Sequence, residues 1–378
     1  MILAALDINA NRICGLRGAS GQRPQPLYLD GQDADLPLAI LLGGRSLQIG
    51  RAAAAVARRS PQIVCSGYLA ALGSAAEWRH GRHRLSAEKA LRATLQHVSG
   101  RLSGVSGIVL VAPGYLTGEQ VRLIHAVADD LKLPVRGAIN RSLAAGLANH
   151  KEQAWHHVGI VVDVDDYAMT CTVLRPGDAE LCCLGQQTLP MLGQRLWRER
   201  LLGRIADSCV RNCRRDPRDN PEADQHLFNQ LDQVLLAAAN NQPAVVRLAG
   251  FQWLQTLTLT PAEMAAACAQ LAHQAARGVD AAHKWAEQQL TSVSIYLTAE
   301  AARLPGLSAA IYRQCDNKTP LVVLCANAPG QAAFELAQRI SRQEIPAGHY
   351  GAAVPLPAEE EDWADMLPFP TTDAAIAE

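Results

Sequence analysis

Two short stretches of this sequence end an apolar run on a carboxylate. In "ILAALDINANRICGL", Asp7 is followed by Asn9 and Asn11 before strand-like residues resume. In "GIVVDVDDYAMTCTVL" (159–174), Asp163 is followed by Asp165, Asp166 and Tyr167. Each reads as a hairpin whose first strand carries a carboxylate to its end. Turns that do this for a phosphate ligand usually continue with glycines, so that backbone N–H groups can approach the oxygens. The second turn instead holds two further acids, which would repel a polyphosphate by about 1–4 kcal/mol each at ~4 Å. Clustered carboxylates also suit a hard divalent cation, so Asp7, Asp163, Asp165 and Asp166 form a candidate metal or metal–nucleotide site. A solvated acidic turn is the plainer alternative.

Other chemistry-bearing residues form weaker patterns. Cys209 and Cys213 lie one helical turn apart, half of a zinc site with no second pair nearby. His156–His157 and the basic run "RHGRHR" (79–84) lack supporting partners, and the latter reads as a solvated loop without aromatic interleaving. Ser142 has no G-x-S-x-G context, which argues against a hydrolase nucleophile.

Composition narrows the classes further. The chain has 378 residues, with 35 Lys plus Arg against 36 Asp plus Glu, so no charge excess points to nucleic acid or a membrane surface. No apolar run approaches the roughly 18–20 residues of a membrane helix. The start has no basic n-region and reaches Asp7 early, unlike a signal peptide. Ten scattered cysteines without C-x-x-C suit reduced thiols, and a cytoplasmic location is expected.

The elements that must position the two hairpins alternate along the chain. Strands are expected at 36–42, 107–112 and 134–139, and helices at 86–102, from Thr117 onward, and at 141–150. After the hairpin at 158–174, with a third strand at 179–185, come helices at 193–215, 222–241 and 261–278. Strand 292–297, helix 304–315, strand 320–325 and helix 329–340 complete the pattern. Two α/β halves, each opening with strand–turn–strand, predict a two-lobed fold with a cleft between the lobes. The lobes are expected at 1–157, with a peripheral insertion at 24–104, and at 158–355, with a peripheral part at about 200–287. Residues 356–378 read as an acidic tail.

At this point the residues resemble a family. The run "VLVAPGYLTGEQVRLIHAVADDLKLPVRGAINRSLAAGLANH" (109–150) is similar to a characteristic run in the nucleotide-binding domain of the seventy-kilodalton heat-shock (DnaK-type) chaperones, which have the actin-like ATPase fold. The matches include Pro113, Tyr115, Gln120, Ile139, Asn140, Ala144, Ala145 and Leu147. "LQIGRAA" (47–53), "RLP" (303–305) and "GAAV" (351–354) follow in the family's order. The resemblance covers roughly residues 1–355. It implies a duplicated ribonuclease-H-like α/β fold and a nucleotide site at Asp7, Asn9, Asn11, Asp163, Asp165, Asp166, Gly193 and Arg303.

The departures concentrate in that site. The family's two phosphate loops, D-L-G-T-T and D-L-G-G-G-T, are replaced at 7–11 and 163–168. The acid beside the attacking water becomes Arg141, with Ser142 for the adjacent proline. The lysine that contacts the transferred phosphate has Tyr68 as its nearest position. The adenosine-side V-G-G becomes Thr298, Ala299 and Glu300, and the ribose-holding Glu and Lys become Gln233 and Leu236. Only Asp7, Asp163, the Gly193 loop and Arg303 keep the family's chemistry.

The resulting expectation is a pseudo-ATPase acting as a binding or regulatory module, with no resident cofactor. The alternatives are a slow ATPase using ATP and Mg with altered ligands, and a small-molecule kinase of the same fold. Asn9 and Asn11 are expected to hydrogen-bond across the cleft to Asp165 and Asp166. A protein partner is expected at the cleft or at the 359–370 tail, with Trp363, Met366, Leu367 and Phe369. The family's peptide-binding domain has no counterpart in the chain, so client binding is not expected of it.

Overall fold

The strands Ile2–Ile8, Gly107–Ala112 and Val158–Val164 are almost unbroken apolar runs, buried along nearly their whole length. Such strands need cover on both faces, which sets the layered arrangement that follows. A computed structural model describes residues 1–250, 253–288, 292–315 and 317–357. It is a mixed α/β structure built on two large sheets.

The first sheet runs in the order Gly348–Tyr350, Val135–Asn140, Gly107–Ala112, Ile2–Ile8, Arg12–Ala19, Gln25–Leu27, and Asp35–Pro37 also pairs with Arg12–Ala19. The second runs Leu321–Val323, Val293–Leu297, Val158–Val164, Met169–Pro176, Glu180–Leu189, Ala353–Pro355. In each, the opening strand is antiparallel to its hairpin partner and parallel to a strand on its other side, which is in turn parallel to the next. Five strands of each sheet therefore repeat one order and one set of directions, while Gly348–Tyr350 extends one edge of the first sheet and Ala353–Pro355 the opposite edge of the second.

Two helices, Arg141–Glu152 and Ala328–Ser341, lie in a core that both sheets share. Leu3, Val109 and Ile139 of the first sheet, Val161 and Leu174 of the second, and Leu143, Leu147 and Phe334 of the helices belong to one buried cluster. Small residues make this approach close: a Cβ on Gly146 would lie 2.4 Å from Leu174 Cδ1. The outer face of the first sheet is covered with the help of helices Ala87–Ser99 and Gly118–Asp130, and that of the second by Gln194–Cys213 and Pro261–Glu287.

Several expected elements differ, each for a local reason. The helix expected at 222–241 is two, Pro221–Phe228 and Leu231–Ala239. Between them Gln230 turns its amide onto the strand Ala244–Gly250, donating to Arg247 O at 2.8 Å and accepting from its N–H at 2.9 Å. The helix expected at 261–278 continues to Glu287; Gly278 does not end it but gives room to Leu189, whose Cδ1 would lie 2.5 Å from an added Cβ. The helix expected at 304–315 starts only at Leu307 and runs to Gln314, after Pro305 and Gly306, the latter at φ +79°, and an additional short helix, Ala299–Ala302, precedes it. The strand at 36–42 breaks at Leu38, giving Asp35–Pro37 and Ala39–Leu41 in different sheets. The third strand of the second sheet extends to Leu189.

The basic run at 79–84 is solvent-exposed, as expected, but it is ordered rather than a plain loop. It is the turn of a hairpin, Glu77–His80 with His83–Ser86, in which Glu77 accepts from both Arg79 and Arg84. Leu356 belongs to the fold rather than to a tail, its N–H donating to Ala179 O at 2.9 Å and its carbonyl accepting from Arg339 Nη2 at 3.0 Å. The rest of the expected tail, 358–378, with the 359–370 partner segment, lies outside the described residues. Among the described residues no helix is long and apolar enough to cross a membrane.

Candidate functional site

Helix Arg141–Glu152 starts where the strand Val135–Asn140 ends, because Asn140 caps it. The Asn140 side chain accepts from Ser142 N at 2.9 Å and Leu143 N at 3.4 Å. This places the first helical residue, Arg141, at the ends of the two opening strands. Its side chain is 1% exposed. Nε donates to both carboxylate oxygens of Asp7, at 3.1 and 3.3 Å, and Nη1 donates to Asp163 Oδ1. Nη2 lies 3.2 Å from Glu300 Oε2, an ion-pair contact outside hydrogen-bond geometry. The other oxygen of Glu300 accepts from Arg12 Nη2 at 3.0 Å. Glu300 is held in turn by the short helix Ala299–Ala302, capped by Thr298.

A second layer joins the hairpin turns directly. Asp165 Oδ2 accepts from Ala10 N at 2.9 Å and from the Tyr115 hydroxyl at 2.7 Å, while Oδ1 accepts from Tyr167 N and Ala168 N. Asp166 donates its N–H to Asn11 Oδ1 and accepts from Asn11 Nδ2 at 3.2 Å and Arg198 Nη1 at 2.7 Å. Asn11 Nδ2 also donates to Gln194 Oε1 at 2.8 Å. Gly193 is required by closeness, since an added Cβ would lie 2.3 Å from Asp166 O. Asn9 does not cross: its Oδ1 accepts from Asn11 N and Arg12 N within its own turn.

Three carboxylates, Asp7, Asp163 and Glu300, thus face two guanidiniums, Arg141 and Arg12. Burial pushes Asp163 up to about 6, with Arg141 only partly offsetting it, and it also raises Asp7. Burial pushes Glu300 the same way, but Arg141 and Arg12 together hold it below the usual range. Burial works against the Arg141 charge, and the acids around it more than compensate, so it stays a cation. Asp163 and Asp7 therefore hold a proton more readily than an ordinary aspartate, and Glu300 less readily than an ordinary glutamate.

A third contact lies further out. The Arg58 backbone N–H donates to Gln225 Oε1 at 2.7 Å, and its guanidinium to Glu199 Oε1 at 2.7 Å and Asp224 Oδ2 at 3.0 Å. The same guanidinium sits 5.5 Å from the centroid of Phe228. Residues of the first half are thereby tied to helices of the second at two depths.

The structure brings together Asp7, Asn11, Asp163, Asp165, Asp166 and Gly193. It leaves Arg303 out of the cluster's hydrogen bonds; Arg303 caps the helix Ala299–Ala302. Tyr68 is not at the site: it is fully buried with its hydroxyl 2.7 Å from Thr94 Oγ1. Gln233 and Leu236 lie on the helix Leu231–Ala239, with Leu236 exposed. The second turn is not a solvated acidic loop, because Asp165 is buried with four donors. The cation between Asp7 and Asp163 is the Arg141 side chain. Cys209 and Cys213 are free thiols with sulfurs 3.5 Å apart, and among the described residues no three His, Cys, Asp or Glu side chains are placed to hold a metal ion.

Sequence reasoning missed Arg12, Tyr115, Gln194 and Arg198 as site residues, and took Glu300 only as a lost glycine. A paired signal was present: a base at 141 and an acid at 300, both where neither was expected. The chain matches no known protein-family model, and a search of curated proteins finds no match.

Proposed function

We propose that this chain is a chaperone-type nucleotide-binding domain of the actin-like fold whose phosphate site is filled from within. It serves as a non-hydrolysing binding or regulatory module. The repeated strand order of the two sheets, with two helices between them, supports the two-lobed fold. The observation that carries the functional reading is the buried Arg141 guanidinium between Asp7 and Asp163. That volume and that charge are where a phosphate-bound cation would have to sit, and a side chain with three carboxylate partners is costly to displace.

Phosphoryl transfer depends on positioned donors and charge at the transferred group. Here the donors of the hairpin turns, Ala10 N, Tyr167 N and Ala168 N, are spent on Asp165. No acid stands at 141 to orient water. The module therefore holds its two halves together with protein groups, and what it offers a protein partner is a fixed closed shape.

The test is titration calorimetry with ATP and Mg²⁺, together with a steady-state phosphate-release assay. No heat of binding and no turnover above buffer are expected. Hydrolysis by the wild-type protein that Asp7→Ala abolishes would overturn the proposal. So would a marked slowing of hydrogen exchange in residues 2–19 and 158–176 on adding ATP.

A further inference from the structure

A second feature lies at the opposite end of the second sheet from Asp163. The strands Val158–Val164, Val293–Leu297 and Leu321–Val323 are parallel, and their N-terminal ends open onto a cavity of about 640 Å³. That volume is within the range of small-molecule sites. The chain crosses from one half to the other along its wall, at residues 149–158.

The lining has two characters. Trp155 and Tyr296 are buried as a floor, their ring centroids 5.5 Å apart, and His157 lies nearly parallel to Tyr296 at 10° with Nε2 3.2 Å from its hydroxyl. At the rim stand Arg175 and His156, both exposed. No Asp or Glu is among the described residues that line the cavity, in a chain with 36 acids against 35 Lys plus Arg. Arg175 has no hydrogen bond or ion pair among the described residues. An unneutralised guanidinium beside imidazoles draws an anion, and a flat aromatic floor favours a planar group over a bulky one.

We propose that this cavity binds a small anion carrying a planar ring, the anionic group on Arg175 and the ring against His157 and the Trp155–Tyr296 floor. Two sources share that chemistry, nucleoside monophosphates and aromatic carboxylates. The site is separate from the Arg141 cluster, and the proposal does not depend on how that cluster is read.

The experiment is calorimetric titration of the full chain with AMP and with benzoate. Adenosine and benzamide serve as uncharged counterparts, and inorganic phosphate as the ringless one. At least one charged ring compound is expected to bind, and which of the two binds identifies the source. Arg175→Gln, a surface change whose fold is checked by an unaltered melting temperature, should weaken that binding roughly tenfold or more. His157→Ala should weaken it as well. The proposal fails if no charged ring compound binds at millimolar concentration. It also fails if the neutral compounds or phosphate bind as tightly as the charged rings, or if Arg175→Gln leaves the affinity unchanged.

Discussion

Arg141 and Glu300 meet across the two halves of the molecule, Nη2 to Oε2 at 3.2 Å, and both are buried. Neither makes sense alone. A buried guanidinium needs carboxylate partners once water is excluded, and a buried glutamate needs a cation. Arg12 adds a second cation by reaching Glu300 from the first hairpin. The pair thus couples the helix start at 141 to the short helix at 299–302, and through Asp7 and Asp163 to both opening strands.

Removing Arg141 should therefore be expensive. Arg141→Ala leaves Asp7, Asp163 and Glu300 buried without their shared partner, and breaking a buried ion pair in this way costs about 3–5 kcal/mol. Arg141→Met combined with Asp7→Asn, Asp163→Asn and Glu300→Gln should recover most of that loss, since the uncompensated charges go too. Urea denaturation of the three proteins measures both effects. Equal stability of wild type and Arg141→Ala would contradict the account of the cluster.

The pH dependence has a definite sign. The carboxyl of Asp163 is pushed up to about 6 in the folded protein from an ordinary 3.8, burial being the largest cause. It binds its proton more tightly folded than unfolded, so this group favours folding fully below pH 4. That contribution is lost as pH rises toward 6, and amounts to about 3 kcal/mol. Glu300, held low by Arg141 and Arg12, works in the opposite direction. Comparison with Asp163→Asn isolates the Asp163 part: the stability difference between wild type and variant should change between pH 4 and 6.5 and be flat above it. Urea midpoints across that range provide the measurement.

Much of this was legible in the sequence, and the limits have physical causes. The strands that deliver Asp7 and Asp163, the Thr117 and Ser86 helix caps and the strand–turn–strand openings are local patterns, and local patterns can be read. Asn11 bonding to Asp166 followed from two turns with complementary groups. What could not be read is where a long side chain goes after its Cβ. Arg141 looked like a lost acid, and only the tertiary fold reveals that it fills the space. Tyr68 reads as the nearest residue to a phosphate-contacting position but points into the core, because nothing in a linear string distinguishes the faces of an irregular segment. Gln230 and Gly278 mislead for the same reason: each serves a neighbour distant in sequence, and local rules assign it a local role.

Arg58 offers an independent check on how the two halves of the chain are joined. Its partners Glu199, Asp224 and Gln225 all lie in the second half, while Arg58 itself belongs to the first. Partly exposed ion pairs contribute little to global stability, so Arg58→Ala should cost no more than about 1 kcal/mol. Its effect should appear locally instead. Amide hydrogen exchange in residues 51–60 and in the helix Pro221–Phe228 should accelerate together, whereas the hairpins at 2–19 and 158–176 stay protected by the Arg141 cluster. Acceleration confined to one of the two outer segments would show that Arg58 does not join them.

The last prediction turns on what the three carboxylates do without their arginine. Deleting the Arg141 side chain leaves Asp7, Asp163 and Glu300 around the volume its guanidinium filled, and hard divalent ions are held by carboxylate oxygens that can close on them. Millimolar Mg²⁺ or Ca²⁺ should then raise the melting temperature of Arg141→Ala, through preferential binding to the folded state, and leave wild type unmoved. Methylguanidinium at similar concentration should rescue the variant by replacing the missing group more literally. Arg141→Glu should unfold the protein or hold it only at high Mg²⁺, because it adds a fourth acid to a cluster left with Arg12 as its base. Tyr68→Lys, in contrast, should destabilise without creating any nucleotide contact, as it buries an ammonium beside Thr94. If wild type gains as much from Mg²⁺ as Arg141→Ala does, the arginine is not the site's cation and the self-filled reading is wrong.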